Sequence, residues 1–308
     1  MPTTVISKEK TPVSAREAAP LPVSSSRRFF LKTVFCGAAG LALYAGEVER
    51  HWIDTSRHDL RIAGLPAVFD GMRIAQLSDL HLDEYSEPFF LRDAIDHVNR
   101  LNPDIVFLTG DYVSWGISTR KFAQGAAWQC ANILSGLNCR DRYAILGNHD
   151  VMVDSELVAT ALRDNGTKVL INACEPIERS GARFWVAGLD DPFAGNPDPE
   201  SAIPSRIRDL RDEPVVLLCH APDYADDLVA RPAGRSVKVM LSGHTHGGQV
   251  RLPFLGATQL PPLGKKYVEG WFHPGGMQLY VNRGLGTVGV PFRFACPPEI
   301  TLFTLRSA

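Results

Sequence analysis

The chain lacks an excess of charge of either sign. Lys and Arg together number 32 and Asp and Glu 34, a formal net charge of −2. A nucleic-acid binder usually carries a strongly basic face, and composition announces none, so no nucleic-acid partner is expected. Paired cysteines are missing too. The six present, Cys36, Cys130, Cys139, Cys174, Cys219 and Cys296, include no C-x-x-C, which excludes a zinc ribbon and a thioredoxin-type motif. They read as small core residues, with disulfide status and oligomeric state left open. There is no internal repeat. The uncharged, largely apolar stretch Thr33–Gly46 has 14 residues, short of the roughly 20 that a spanning helix needs.

What is present suits an enzyme. Over 308 residues, 45% are apolar and 21% charged, enough for one large core. Residues 1–25 are rich in Pro, Ser, Thr and Ala without an apolar period, and disorder is expected there. Ser26-Arg27-Arg28-Phe29-Phe30-Leu31-Lys32 and the apolar stretch after it resemble a twin-arginine export signal. That resemblance implies a leader and signal or anchor over residues 1–47, cut near Ala45 or retained. It also implies the twin-arginine machinery as a partner and a location across the cytoplasmic membrane: periplasm, cell wall or membrane-anchored. A single folded domain is expected over residues 48–308.

From Val48 onward short apolar runs alternate with helical stripes. A strand pair is expected at Glu49–Asp54 and Asp59–Ile62, then buried strands at Arg73–Leu77, Ile105–Leu108, Tyr143–Leu146, Val215–Leu218 and Val237–Leu241. Phe90, Leu91, Ala94, Ile95, Val98 and Leu101 share one helical face. Phe122, Ala126, Ala127, Ala131 and Leu134 share another, and Leu157–Leu162 reads as a third helix. Further strands are expected at Arg183–Val186, Gln278–Val281 and Ile300–Leu305, and Asp190–Pro204 reads as a surface loop. The alternation predicts a layered α/β sandwich.

Each of the five buried runs ends in polar residues able to bind metal. The ends read Ser78-Asp79-Leu80-His81, Thr109-Gly110-Asp111, Gly147-Asn148-His149-Asp150, His220, and Ser242-Gly243-His244-Thr245-His246. The carboxyl ends of strands in α/β sheets are where ligands and reacting groups gather. Two metals held close together need a bridging carboxylate and mixed oxygen and nitrogen donors, and Asp111 is the candidate bridge. Gly110, Gly147 and Gly243 let the chain turn sharply beside these ligands.

D-x-H, G-D, G-N-H-D, a lone His and G-H-T-H, in that order from Asp79 to His246, resemble the signature of calcineurin-like metallophosphoesterases. Gly247–Pro253 and Arg283–Gly286 resemble a bacterial branch exported by the twin-arginine route. The resemblance implies a four-layered αββα sandwich of the metallophosphatase-like class and two divalent metal ions, Mn, Fe, Zn or Co. It assigns Asp79, His81, Asp111 and His246 to one metal, and Asp111, Asn148, His220 and His244 to the other. His149 would face the substrate phosphate in protonated form, with Asp150 orienting its ring. The implied activity is hydrolysis of a phosphomonoester or phosphodiester by hydroxide shared between the metals. A cell-envelope lipid or glycolipid phosphate is the expected substrate class, with membrane surface contact. A nucleotide phosphodiesterase or nuclease, and a non-catalytic metal-binding module on the same fold, stand as alternatives. Arg251 and Arg283 are either phosphate ligands or ion-pair partners. Trp115, Phe193, Phe254, Leu255, Trp271, Phe272, Phe292 and Phe294 either line a cleft, touch a membrane or fill the core.

Overall fold

A computed structural model describes residues 25–83, 86–116, 120–210 and 212–308. The disorder expected for the N-terminal tail therefore falls almost wholly outside the described residues. The chain divides into two compact units, one ending at Leu41 and one beginning at Ala42. Helix α1 runs over Ser25–Leu43 and continues as a π turn over Tyr44–Val48 and a 3₁₀ turn over Glu49–His51. The helical path Arg27–His51, 25 residues, is long and apolar enough to cross a membrane by length and composition. It outruns the 14-residue apolar run because the backbone stays helical through Glu47 and Glu49.

The second unit is built on two six-stranded sheets. The chain supplies β1 (Asp54–Ile62), β2 (Arg73–Leu77), β3 (Ile105–Leu108), β4 (Asp141–Ala144), β5 (Lys168–Val169), β6 (Ala173–Arg179) and β7 (Ala182–Gly188), followed by β8 (Val215–Leu218) and β9 (Val237–Ser242). Strands β10 (Arg251–Leu252) and β11 (Gly256–Ala257) form a hairpin, and β12 (Gly270–Phe272), β13 (Gln278–Val281) and β14 (Glu299–Ser307) follow. The first sheet has the order β1-β14-β2-β3-β4-β5 and the second β12-β13-β9-β8-β7-β6. Ligand-bearing β2, β3 and β4 run parallel to one another, as do β8 and β9, so their carboxyl ends emerge on one side of each sheet.

Three apolar layers hold four structural layers together. Helices α2 (Pro88–Leu101), α3 (Arg120–Leu134) and α4 (Asn148–Asp164) cover the outer face of the first sheet through Leu91, Ile95, Val98, Ala131 and Leu162. Phe107, Phe184 and Phe303 are wholly buried between the two sheets, where truncating one to Ala costs about 3–5 kcal/mol. The short helices α5 (Pro199–Ala202), α6 (Ser205–Arg208) and α7 (Ala225–Val229) cover the second sheet through Ile207 and Leu228. This is the αββα sandwich. Helix α2 is bounded as its sequence dictates: Pro88 opens it, where a missing N–H costs nothing, and Asn102 closes it in the left-handed conformation at φ 48°.

Three expectations need correction. Glu49–Asp54 is not a strand: Glu49 starts a 3₁₀ turn, and its buried carboxylate accepts the Cys296 N–H at 2.7 Å. The strand expected at Tyr143–Leu146 lies at Asp141–Ala144, because Ile145 and Leu146, though buried, lead out toward Gly147. Asp190–Pro204 is not only surface loop, since it contains α5 and the fully buried Asp191. All six cysteines are free thiols.

Candidate metal centre and pocket

The five strand ends converge as their sequence positions require. Asp79 and His81 follow β2, Asp111 follows β3, the Gly147-Asn148-His149-Asp150 run leads from β4 into α4, His220 follows β8, and His244 and His246 follow β9. Asp79, His81, Asp111, His244 and His246 all have positive φ, between 45° and 72°. Non-glycine residues avoid this region, and such strain persists only where surrounding structure enforces it. Glycines make the close packing feasible. A Cβ on Gly147 would collide with the Asp111 carboxylate, and one on Gly243 with Ser78 Oγ and Asp79.

Three groups of side chains bring candidate ligand atoms within 4.8 Å of one another: Asp79, His81 and His246; His81, Asp111 and His149; and Asp111, His220 and His244. Asp111 stands between the clusters. Its Oδ2 lies 3.4 Å from His81 Nε2 and 3.2 Å from His220 Nε2, while its Oδ1 accepts the His149 N–H at 2.9 Å. His81 Nε2 and His246 Nε2 face each other at 3.0 Å, with Asp79 Oδ1 3.4 Å from the latter. Both Asp79 oxygens accept the His244 N–H, at 3.0 and 3.1 Å.

The far sides of three imidazoles are fixed, whereas His246 Nδ1 is buried without a hydrogen-bond partner. His220 Nδ1 donates to the Thr109 carbonyl at 2.7 Å, His244 Nε2 donates to that of Pro262 at 2.7 Å, and His81 Nδ1 meets Ser114 Oγ at 3.1 Å. Each ring therefore turns its other nitrogen toward the cluster, the arrangement that sets tautomer and orientation in metal-binding histidines. Asn148 Oδ1 and His220 Nε2 are buried without a hydrogen-bond partner in the protein, a costly state unless a cation fills it. The donor set of imidazole nitrogens, carboxylates and an amide oxygen fits divalent transition metals.

Burial governs the charges. It pushes His81 down to about 3 and His244 down to about 4, keeping them in the neutral form that coordinates metal. Burial also raises Asp79 to about 6. On Asp111 burial is outweighed by His220 and His149, which hold the carboxyl well below its usual range. Burial depresses His220, but the facing Asp111 reverses that and raises it.

Asp150 does not orient the His149 ring. Its oxygens accept the backbone N–H groups of Asp111, Tyr112 and Gly147 at 2.8, 2.9 and 2.9 Å and of Val113 at 3.3 Å. It thus ties the loop after β3 to the start of α4. A fully buried carboxylate at the third position of a helix is drawn to backbone donors, which the surrounding turn supplies in excess. The His149 ring is set instead by the Trp115 N–H, which donates to Nδ1 at 2.8 Å. The proton that His149 can offer then sits on Nε2, and a second ring proton would forfeit the Trp115 bond.

Two buried polar residues that sequence reading missed brace the loops around the centre. Asp191 follows β7, is wholly buried, and accepts the Phe193 and Ala194 N–H groups with Oδ1. Its Oδ2 has no partner. The signal was there in Leu189-Asp190-Asp191 after a buried strand, the same pattern as the other five ends. Arg293 is also wholly buried, and among the described residues no carboxylate pairs with its guanidinium. It donates to the carbonyls of Arg283, Gly284, Gly286 and Cys296 at 2.6–3.2 Å. The loop it gathers presses on the first ligand: Leu285 and Gly286 donate to the carbonyls of Ser78 and Asp79, and a Cβ on Gly284 would meet Asp79 Cβ at 2.6 Å. No periodicity marks such a residue.

Arg283 and Arg251 are ion-pair partners. Arg283 binds Glu299 at 3.1 Å and Asp54 at 2.6 Å, and Arg251 binds Glu269. A cavity of about 510 Å³ opens above the cluster. Asp111, Asn148, His149, His244 and His246 form part of its lining, and Trp115, Met152, Phe193, Leu260 and Val290 contribute apolar surface, with no Lys or Arg among the described lining residues. Trp271 instead packs against Tyr280 and Phe303, and Phe272 against the third apolar layer.

Comparison with known proteins agrees with this geometry. Residues 72–248 match the family model described as calcineurin-like phosphoesterase. The chain is 38% identical to an uncharacterized metallophosphoesterase of Bacillus subtilis, YkuE, over 92% of this chain and 98% of that one. It is 32% identical to the phosphodiesterase YaeI of Escherichia coli, over 91% of this chain and 99% of that one. To the UDP-2,3-diacylglucosamine pyrophosphatase LpxG of Chlamydia muridarum it is 26% identical, over 84% and 91%.

Proposed function

The chain belongs to the calcineurin-like phosphoesterase family, and from that premise we propose that this metal-dependent phosphoester hydrolase uses two metals to cleave a lipid or glycolipid phosphoester of the cell envelope. The observation that carries the two-metal reading is Asp111, whose Oδ2 faces His81 on one side and His220 on the other. Asp79, His81, Asp111 and His246 would hold one cation, and Asp111, Asn148, His220 and His244 the other. Mn, Fe, Zn and Co all suit these donors. When bound, the cations supply positive charge for the phosphoryl oxygens and a water of lowered pKa as nucleophile.

The chain's own residues do the rest. His149, with Nδ1 occupied by the Trp115 N–H, presents its Nε2 proton to a phosphoryl oxygen or to the leaving alkoxide. Asp150 holds the loop of Asp111 against the start of α4, fixing the bridge. The apolar cavity wall excludes water and offers surface to an acyl chain. The absence of Lys and Arg from the described lining favours such a substrate over a nucleic acid.

The same proposal covers location. The Arg27-Arg28 motif and the apolar helix after it support twin-arginine export. Retention of the segment as an anchor is supported by the turn that follows it, which is built into the catalytic unit: the Arg293 N–H donates to the Ala45 carbonyl at 3.0 Å, and Ala45 and Gly46 are buried.

The test uses the full chain, with elemental analysis of bound metal and assay of bis-p-nitrophenyl phosphate beside Asp111→Asn. We expect about two metals per chain and cleavage that the variant loses. A chain that holds no metal after reconstitution would overturn the reading.

A further inference from the structure

We infer that the hairpin Arg251–Ala257 is a membrane-inserting tip that seats the mouth of the cavity on a lipid bilayer. The inference rests on the envelope-lipid reading above and names the surface by which the enzyme would reach such a substrate.

Three features converge on one segment, Val288–Phe294. The first is the cavity, whose wall includes Val288, Gly289 and Val290. The second is the hairpin. Val250 pairs with Phe294, the Arg251 N–H donates to the Phe294 carbonyl at 2.9 Å, and the Phe294 N–H donates to that of Gln249 at 3.0 Å. Val250 and Thr258, at the two feet of the hairpin, both line the cavity. The third is the root of the apolar N-terminal segment. A Cβ on Gly46 would meet the Phe292 ring at 3.0 Å, and Ala45 accepts the Arg293 N–H. Ala45 and Gly46 thus pack against the same segment that carries part of the cavity wall and pairs with the hairpin.

The tip itself has the chemistry of an inserting loop. Leu252-Pro253-Phe254-Leu255 carries no charge, Phe254 is fully exposed, and Leu255 is 78% exposed. Its one charged neighbour, Arg251, is neutralised by Glu269 at the base. Two-residue strands and three apolar side chains cover too little area for a stable protein interface, which needs about 1,000 Å². A bilayer makes no such demand, because apolar groups gain by burial in it without shape complementarity. Trp115 and Phe193, lining the cavity and 47% and 43% exposed, would meet the same surface.

The test places a photo-crosslinking phenylalanine analogue at position 254, and at Ser180 as control, in the full chain reconstituted into phosphatidylethanolamine and phosphatidylglycerol vesicles. Ser180 lies in the turn between β6 and β7. A lipid adduct at 254 and none at 180 supports the inference, whether or not any lipid is hydrolysed. No adduct at 254, or an adduct with protein only, overturns it. In a second arm, Phe254→Ser with Leu255→Ser should lower hydrolysis of a vesicle-embedded lipid phosphodiester about tenfold and leave bis-p-nitrophenyl phosphate turnover unchanged. Equal loss on both substrates would mean that the tip supports the fold instead, and would also overturn the inference.

Discussion

The floor of the site and the wall above it come from different parts of the chain. On the floor, Asp79, Asp111, His220 and His244 follow strands that are paired on both sides within a sheet, and their backbones are pinned by hydrogen bonds such as Asp79 N–H to the Gly110 carbonyl at 2.9 Å. The wall is drawn from Trp115, Met152, Phe193, Gly248–Val250, Thr258–Pro262 and Val288–Val290, with no strand of either large sheet among them. Chemistry is placed where the backbone has least freedom, and recognition where the chain can vary without disturbing the ladders. The difference predicts that floor substitutions change metal content or turnover, and wall substitutions change only which substrate is used.

Asp111→Asn should have the largest effect, since this carboxylate faces His81 on one side and His220 on the other. We expect loss of metal and a fall in kcat of about 10³-fold or more, measured by elemental analysis beside steady-state kinetics. His149→Ala should lower kcat about 10²–10³-fold with metal content unchanged. If its metals were lost instead, His149 would belong with the ligands. Arg293→Met sharpens the comparison, because Arg293 acts from a loop on the floor. It should weaken metal binding at the Asp79 cluster about tenfold to a hundredfold, read by metal titration, while the other cluster keeps its metal. Lysine should not rescue it, since a single ammonium cannot span four carbonyls. The smallest effect belongs to the wall. Phe193→Ala should raise KM for an acyl-bearing phosphoester about tenfold and leave a soluble aryl phosphodiester untouched. A fall in kcat on both substrates would break the division.

Sequence reading reached the floor because two independent patterns coincide there, a short apolar run and a terminal ligand. Nothing comparable marks the wall. Pro261 and Pro262 read only as loop, and their position over His244 depends on a contact between residues 18 apart, the His244–Pro262 hydrogen bond. The role of Asp150 was misread for a related reason. The family resemblance put it beside the His149 ring, whereas the helix that begins at Asn148 turns its carboxylate inward to the backbone of Asp111 and Tyr112. Arg293 was illegible because its partners are main-chain carbonyls, which carry no residue identity. Asp191 was legible in principle and lost because Pro and Asp nearby suggested solvent.

The place of β14 has a consequence for the order in which the protein can be made. It lies between β1 and β2, parallel to the first and antiparallel to the second, and β1 has no other neighbour in the sheet. A nascent chain short of Glu299–Ser307 therefore leaves β1 unpaired and one flank of β2, the strand that delivers Asp79 and His81, open. The sheet around the first ligands is therefore complete only once residues about 220 positions downstream of Asp79 have been made, which makes this a contact of high sequence separation.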